Sequence, residues 1–170
     1  MDILKAVKER RSIRDFQKKG IPQELLDKLI DALLWAPSAG NLQSRKFYFI
    51  KDAYVKSEIA SAALNQAFIA EASLVIVGCT DSRISSRYGD RGVTLYTIQD
   101  VAVSIMGMML VAHENGLGTV WVGAFREGDV AKILNTPRNL RPVAIIPVGY
   151  PSRIPSPPPR VSKKEAIEFR

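Results

Sequence analysis

The stretch from about Val93 to Asn115 constrains the fold most, because it is apolar around much of a helix's circumference and therefore has to be buried. Within it, Ala102, Ser104, Gly107 and Ala112 are small enough to let a second helix approach closely. That places the helix at the centre of the core or at a subunit interface. Its longest apolar part, Val101 to Ala112, contains Ser104 and Gly107 and falls short of the ~20 residues a membrane span needs. Gly116 and Gly118 end the helix, with Gly116 suited to a left-handed cap. A covering layer is also visible: Ser73 to Cys79 is continuously apolar, the character of a central strand buried on both faces.

The other elements follow from periodicity and capping. Asp2 can cap a short first helix with Ile3, Leu4 and Val7 on one side, ending near Arg10 or Arg11. Pro22 opens a second helix whose apolar stripe, Leu25, Leu26, Leu29, Ile30 and Leu33, runs up to Trp35 before Pro37 closes it. Phe47 to Ile50, Thr119 to Val122 and Pro142 to Val148 read as strands. Ser57 to Ala70 reads as an alanine-rich helix or pair of helices, and Asp129 to Leu134 as a short one. Asp81 to Gly92 is polar and reads as a mobile connection. Beyond Tyr150, Pro155, Pro157, Pro158 and Pro159 favour an extended chain, which is either a disordered end or a segment lying on another surface.

At 170 residues with 46% apolar content, the chain has room for one domain with a sizeable core. The net charge of +7, from 24 basic and 17 acidic residues, favours anionic ligands. Nucleic acid is disfavoured, because the basic residues are scattered and no recognition-helix or zinc-finger spacing appears. A single cysteine, Cys79, excludes an internal disulfide and reads as a small buried apolar residue. With His113 the only histidine, no metal-ligand cluster is visible, and its place near a helix end fits dipole compensation better than catalysis. The first residues lack a basic region and long apolar run, so a cytoplasmic location is expected, with no membrane partner.

Two segments carry candidate chemistry. In Arg10-Arg11-Ser12-Ile13-Arg14-Asp15-Phe16, three guanidiniums and a hydroxyl fall within five positions after a helix. A guanidinium fork matches phosphate oxygens two at a time, so the run is either a phosphate site or a solvated basic turn. Ala36 to Ser44 joins a helix to a strand, and if extended beyond Gly40 it points Asn41 and Gln43 to the same side. Paired amides offer donors and acceptors that complement the edge of a flavin's pyrimidine ring. Gly116 to Trp121 begins like a dinucleotide fingerprint but lacks the third glycine and precedes a strand, so a Rossmann site is rejected. No zinc-protease, serine-hydrolase or P-loop pattern is present.

The order Arg-Arg-Ser-Ile-Arg-Asp-Phe, Ala-Pro-Ser-Ala-Gly-Asn-Leu-Gln, Gly116 to Phe125, and Pro147 to Pro151 followed by Arg160 resembles the nitroreductase family of FMN-dependent oxidoreductases. The resemblance implies an α+β fold: a three-layer α-β-α sandwich around a mixed, largely antiparallel sheet, with a long buried interface helix in an obligate homodimer. It implies one FMN-binding domain over residues 1–150 and a proline-rich extension, 151–170, packed on the partner subunit. It makes Arg10, Ser12 and Arg14 FMN ligands, with Arg11 contributing backbone and Arg160 reaching the phosphate. Pro37, Ser38, Ala39, Asn41 and Gln43 would come from the partner. Asn65 and Gln66 would reach the ring, or else are ordinary surface amides. Val122, Gly123 and Ala124 would lie near its reactive edge, or else form an ordinary turn.

No side chain is expected to be catalytic, since the flavin carries the chemistry. The implied cycle takes hydride from NADH or NADPH onto flavin N5 and passes it to a nitroaromatic, quinone, enone or flavin. A non-catalytic FMN carrier, a flavin-fragmenting or dehalogenating relative, and a basic nucleic-acid-binding protein are the alternatives.

Overall fold

The structure, a computed structural model, describes residues 2–170. The chain opens with α1 (Ile3–Glu9), where the Asp2 carboxylate accepts from the Leu4 N–H at 3.1 Å as the expected cap. Then come α2 (Gln23–Leu34), β1 (Arg45–Ile50), α3 (Ala53–Ala62), α4 (Phe68–Glu71) and β2 (Leu74–Asp81). After these follow α5 (Ser85–Arg91), α6 (Thr97–Glu114), β3 (Gly118–Thr119), α7 (Glu127–Ile133), β4 (Leu140–Gly149) and α8 (Lys163–Ala166). The strands order as β1-β2-β4-β3, every pair antiparallel, and a parallel bridge from Ser12 to Thr119 adds the N-terminal segment.

Alternation along β2 builds two cores. Leu74 and Ile76 join Leu26, Leu29 and Leu33 of α2 and Val101, Ile105 and Met108 of α6 on one face. Val75, Val77 and Cys79 join Ile59 of α3, Ile69 of α4 and Val130 of α7 on the other. β2 is buried along its whole length, as its apolar run requires. At Gly78 an added Cβ would lie 2.9 Å from Val101 and 3.0 Å from Ile105, so glycine there lets α6 sit close on the sheet. The helix ends as expected at Gly116 (φ 75°), where the Leu117 N–H reaches back to the Ala112 carbonyl at 2.9 Å.

Three expectations are corrected. Asp81 to Gly92 is helical, not a loose connection: a 3-10 turn (Ser82–Ile84) leads into α5, and a π-turn (Gly92–Tyr96) continues into α6. The order comes from Ile84 and Gly92, both buried, and from Tyr88 packed edge-on to Tyr96 at 5.3 Å. The resulting helical run, Ser82 to Glu114, is long and apolar enough to cross a membrane by composition, yet its buried rows place it in the core. Second, the strand expected over Thr119 to Val122 is paired only at its ends, because Val120 falls opposite Pro147, which has no N–H to give. Third, Asn41 (φ 55°) and Gln43 (φ 52°) are not on an extended segment; both are left-handed, around a 3-10 turn at Ala39–Asn41. His113 falls in the last turn of α6, as expected, and the Asn115 side-chain amide donates to the Val111 carbonyl at 2.8 Å.

Candidate functional site

The N-terminal segment meets the C-terminal one through the sheet edge. The Ile13 N–H donates to the Thr119 carbonyl at 3.0 Å, Gln17 to Tyr150 at 2.8 Å, and Ser152 back to Asp15 at 2.9 Å. These bonds carry the proline-rich segment across the arginine run. Arg10, Arg11, Ser12, Arg14 and Arg160 therefore line one pocket of about 300 Å³, walled by Pro155, Ser156 and Pro158.

Within this cluster the guanidiniums are differently committed. Arg11 is turned to α1 and donates to the Lys8 carbonyl at 2.7 Å and its neighbour's at 3.0 Å. Arg160 donates to Pro158 and Pro159 of its own segment at 3.3 and 3.1 Å. Arg14 lies over the Phe68 ring at 5.8 Å. Arg10 is held below the ordinary guanidinium pKa by burial first, then by the like charges of Arg160 and Arg11. Its Nε is buried without a hydrogen-bond partner. Gathered cations and an orphaned donor are what an anion would satisfy. Beneath the cluster, Arg10 and His113 line a smaller cavity of about 120 Å³, where the His113 Nε2 is likewise unpartnered.

Phe68 links the arginines to the other predicted residues. Just before it the chain turns through left-handed Leu64 (φ 58°) and Asn65 (φ 60°), so Asn65 and Gln66 sit in a turn and not on a helix surface. Gln66 donates to the Ala63 carbonyl at 2.8 Å and to the Ala124 carbonyl at 3.1 Å. It thus fixes the backbone after Val122, whose own ladder bonds with Ile145 are 2.9 and 3.0 Å. At Gly123 an added Cβ would meet only Trp121 Nε1, at 3.9 Å, so nothing inside the chain demands glycine.

The amide-bearing loop lies elsewhere. Gln43 lines a groove of about 420 Å³ with Ile30, Leu34, Arg45 and Phe47, and neither it nor Pro37, Ser38, Ala39 or Asn41 lines the arginine pocket. Gly40 (φ 54°) is left-handed, and an added Cβ there would press on the Tyr88 hydroxyl. Sequence reasoning missed Arg45, Asp100, Phe68 and Tyr88 around these groups; a lone charged or aromatic residue carries no spacing signal. Cys79 is fully buried, and burial pushes its thiol pKa up to about 12, so it is inert. Among the described residues no three His, Cys, Asp or Glu side chains gather as a metal site.

The chain matches the nitroreductase family profile over residues 7–86 and 58–150. It is 31% identical to a Methanothermobacter thermautotrophicus protein provisionally named an NADH dehydrogenase/NAD(P)H nitroreductase, over 91% of this chain and 80% of that one. A Bacillus subtilis protein named FMN reductase [NAD(P)H] is 25% identical, over 99% and 73%. Among solved structures, the NADPH:FMN oxidoreductase of Vibrio harveyi complexed with NAD+ superposes with a TM-score of 0.91 at 27% identity, covering 98% of this chain and 76% of that one. On the profile match and the 31% identity over most of both chains, this chain belongs to the nitroreductase family.

Proposed function

We propose that this chain is an FMN-dependent oxidoreductase that uses NADH or NADPH to reduce a small oxidised acceptor, such as a nitroaromatic, quinone, enone or flavin. The observation that carries the reading is the pocket shared by Arg10, Arg11, Ser12, Arg14 and Arg160, with an unpartnered Arg10 Nε inside it. A phosphate monoester fits that donor set in charge and in hydrogen-bond sense. FMN carries such a phosphate, and the Bacillus and Vibrio relatives are named for it. When bound, FMN supplies the two-electron chemistry, accepting hydride from the nicotinamide and giving it to the acceptor.

The protein's own part is to bind, orient and shield. Arg10, Arg14 and Arg160 neutralise the phosphate, and the Ser12 hydroxyl adds a donor. Gln66 holds the Val122–Ala124 backbone so that its small residues leave room for a ring. Asn41 and Gln43 complement the polar edge of the ring, presented by a second copy, since in one chain their loop does not line the arginine pocket. Apolar side chains left exposed on α1, α2 and α6, including Leu4, Leu34, Trp35, Val103 and Met106, supply the surface for that second copy. The 151–170 extension, exposed beyond Pro151, packs on it too.

Titration with FMN and with riboflavin, which lacks the phosphate, tests the reading. Two charge-assisted bonds at about 1.5 kcal/mol each predict roughly a hundredfold preference for FMN, shrinking as salt rises. Equal affinities would contradict the phosphate site.

A further inference from the structure

Between α2 and β1, three of four consecutive residues are left-handed, Gly40 (φ 54°), Asn41 (φ 55°) and Gln43 (φ 52°), and two of them are not glycine. Backbone of this kind persists only where its surroundings over-determine it. The Ser38 hydroxyl contributes by accepting from the Gln43 N–H at 3.0 Å. At the far end the Ser44 carbonyl accepts from the Asp81 N–H at 3.2 Å and from the Thr97 hydroxyl.

Two charged side chains outside the loop grip the rest. Arg45, the first residue of β1, folds its guanidinium back over the end of α2. Its Nη2 donates to the carbonyls of Leu33 (3.3 Å), Leu34 (3.1 Å) and Ala36 (2.8 Å), and its Nη1 to that of Pro37 (3.2 Å). The Leu33 and Leu34 carbonyls are ones that the end of α2 leaves without intrahelical donors, and those of Ala36 and Pro37 belong to the loop beyond it. Asp100 of α6, only 5% exposed, accepts from the Ala39 N–H through Oδ1 at 2.9 Å, while its Oδ2 is buried without a partner. The two charges feel each other: burial lowers the Arg45 pKa, and the Asp100 carboxylate opposes that fall. A cation thus holds the loop's carbonyls and an anion holds its N–H.

We propose that Arg45 and Asp100 are positioning residues for Asn41 and Gln43, a charged clamp that keeps the loop in the conformation in which its amides meet the flavin ring. The role at the ring rests on the FMN reading; the clamp itself does not. Lysine cannot replace the fork over four carbonyls, and asparagine keeps an acceptor for the Ala39 N–H but loses the charge.

Hydrogen exchange of the full chain, with and without FMN, tests the clamp in Arg45→Lys, Arg45→Met, Asp100→Asn and Asp100→Ala. Peptides covering 36–44 are expected to exchange at least tenfold faster in Arg45→Met and Asp100→Ala, with β2 and β4 unchanged and Asp100→Asn intermediate. Unchanged loop exchange overturns the clamp. If β2 and β4 also loosen, Arg45→Lys and Asp100→Asn decide, and loop exchange equal to the parent's in both overturns it.

Positioning is read from ligands. Losing the ring contacts should weaken FMN and riboflavin by the same factor, about tenfold, leaving the FMN preference intact and shifting the potential of the bound flavin. A loosened loop with parental affinity and potential overturns the positioning role. If the parent binds no flavin, the functional reading falls, and the clamp is still judged by loop exchange.

Discussion

At the scale of single residues, the arginines are not equivalent. Arg11 is committed to the carbonyls ending α1, whereas Arg10 is crowded by like charge and has a donor free, and Arg14 rests on Phe68. Arg14→Ala and Arg160→Ala are each expected to raise the FMN dissociation constant about tenfold or more, since a hydrogen bond to a charged group is worth about 1.5–3 kcal/mol. Lys132→Ala, on α7, serves as the control for net charge and should leave it within about twofold. Fluorescence titration at fixed salt measures all three; an equal loss in the control would make the effect one of overall charge. The run Arg10 to Phe16 was legible because its residues are adjacent in sequence. That Arg160 lines the same pocket as this run could not be read from spacing, because it depends on hydrogen bonds joining Asp15 and Gln17 to residues 150–152.

Elements were read well where one periodicity ruled and badly where tertiary contacts decided. The apolar run of β2, the stripe of α2 and the buried α6 follow from alternation or 3.6-residue spacing. α5 did not, since Ser85, Ser86, Arg87, Asp90 and Arg91 give it no apolar face, and its order comes from packing by Tyr88 and Ile84. Asp81 ties this segment to the sheet. The Arg83 guanidinium, chiefly, holds its carboxyl below the usual carboxylate range; burial opposes this, and the Arg83 N–H and the Asn139 amide add to the lowering. Because the folded pKa lies below the unfolded value of about 3.9, the stabilisation is complete above about pH 5 and is lost as pH falls through the folded pKa. Urea midpoints of the parent and Asp81→Asn should therefore differ most near pH 7 and converge below about pH 4. A gap that stays constant with pH would contradict the ion pair.

At the scale of the molecule, the chain leaves much apolar surface uncovered. Trp35 is 87% exposed at the end of α2, and Ile3, Leu4 and Val7 of α1 are open on the side the sequence marked as apolar. Only Ala6 of α1 is buried. Large contiguous apolar patches are uncommon on monomers. Light scattering is expected to give twice the mass of the chain, and Trp35→Glu with Met106→Glu should halve that mass and release flavin together. A parent of single-chain mass that still binds flavin would refute a shared pocket. The most direct test of the central claim is the visible spectrum of the FMN-loaded protein under anaerobic addition of NADH or NADPH. The account predicts flavin bands that bleach on adding the nicotinamide and return when a quinone or nitroaromatic follows; a colourless protein, or bands that neither nucleotide bleaches, would contradict it.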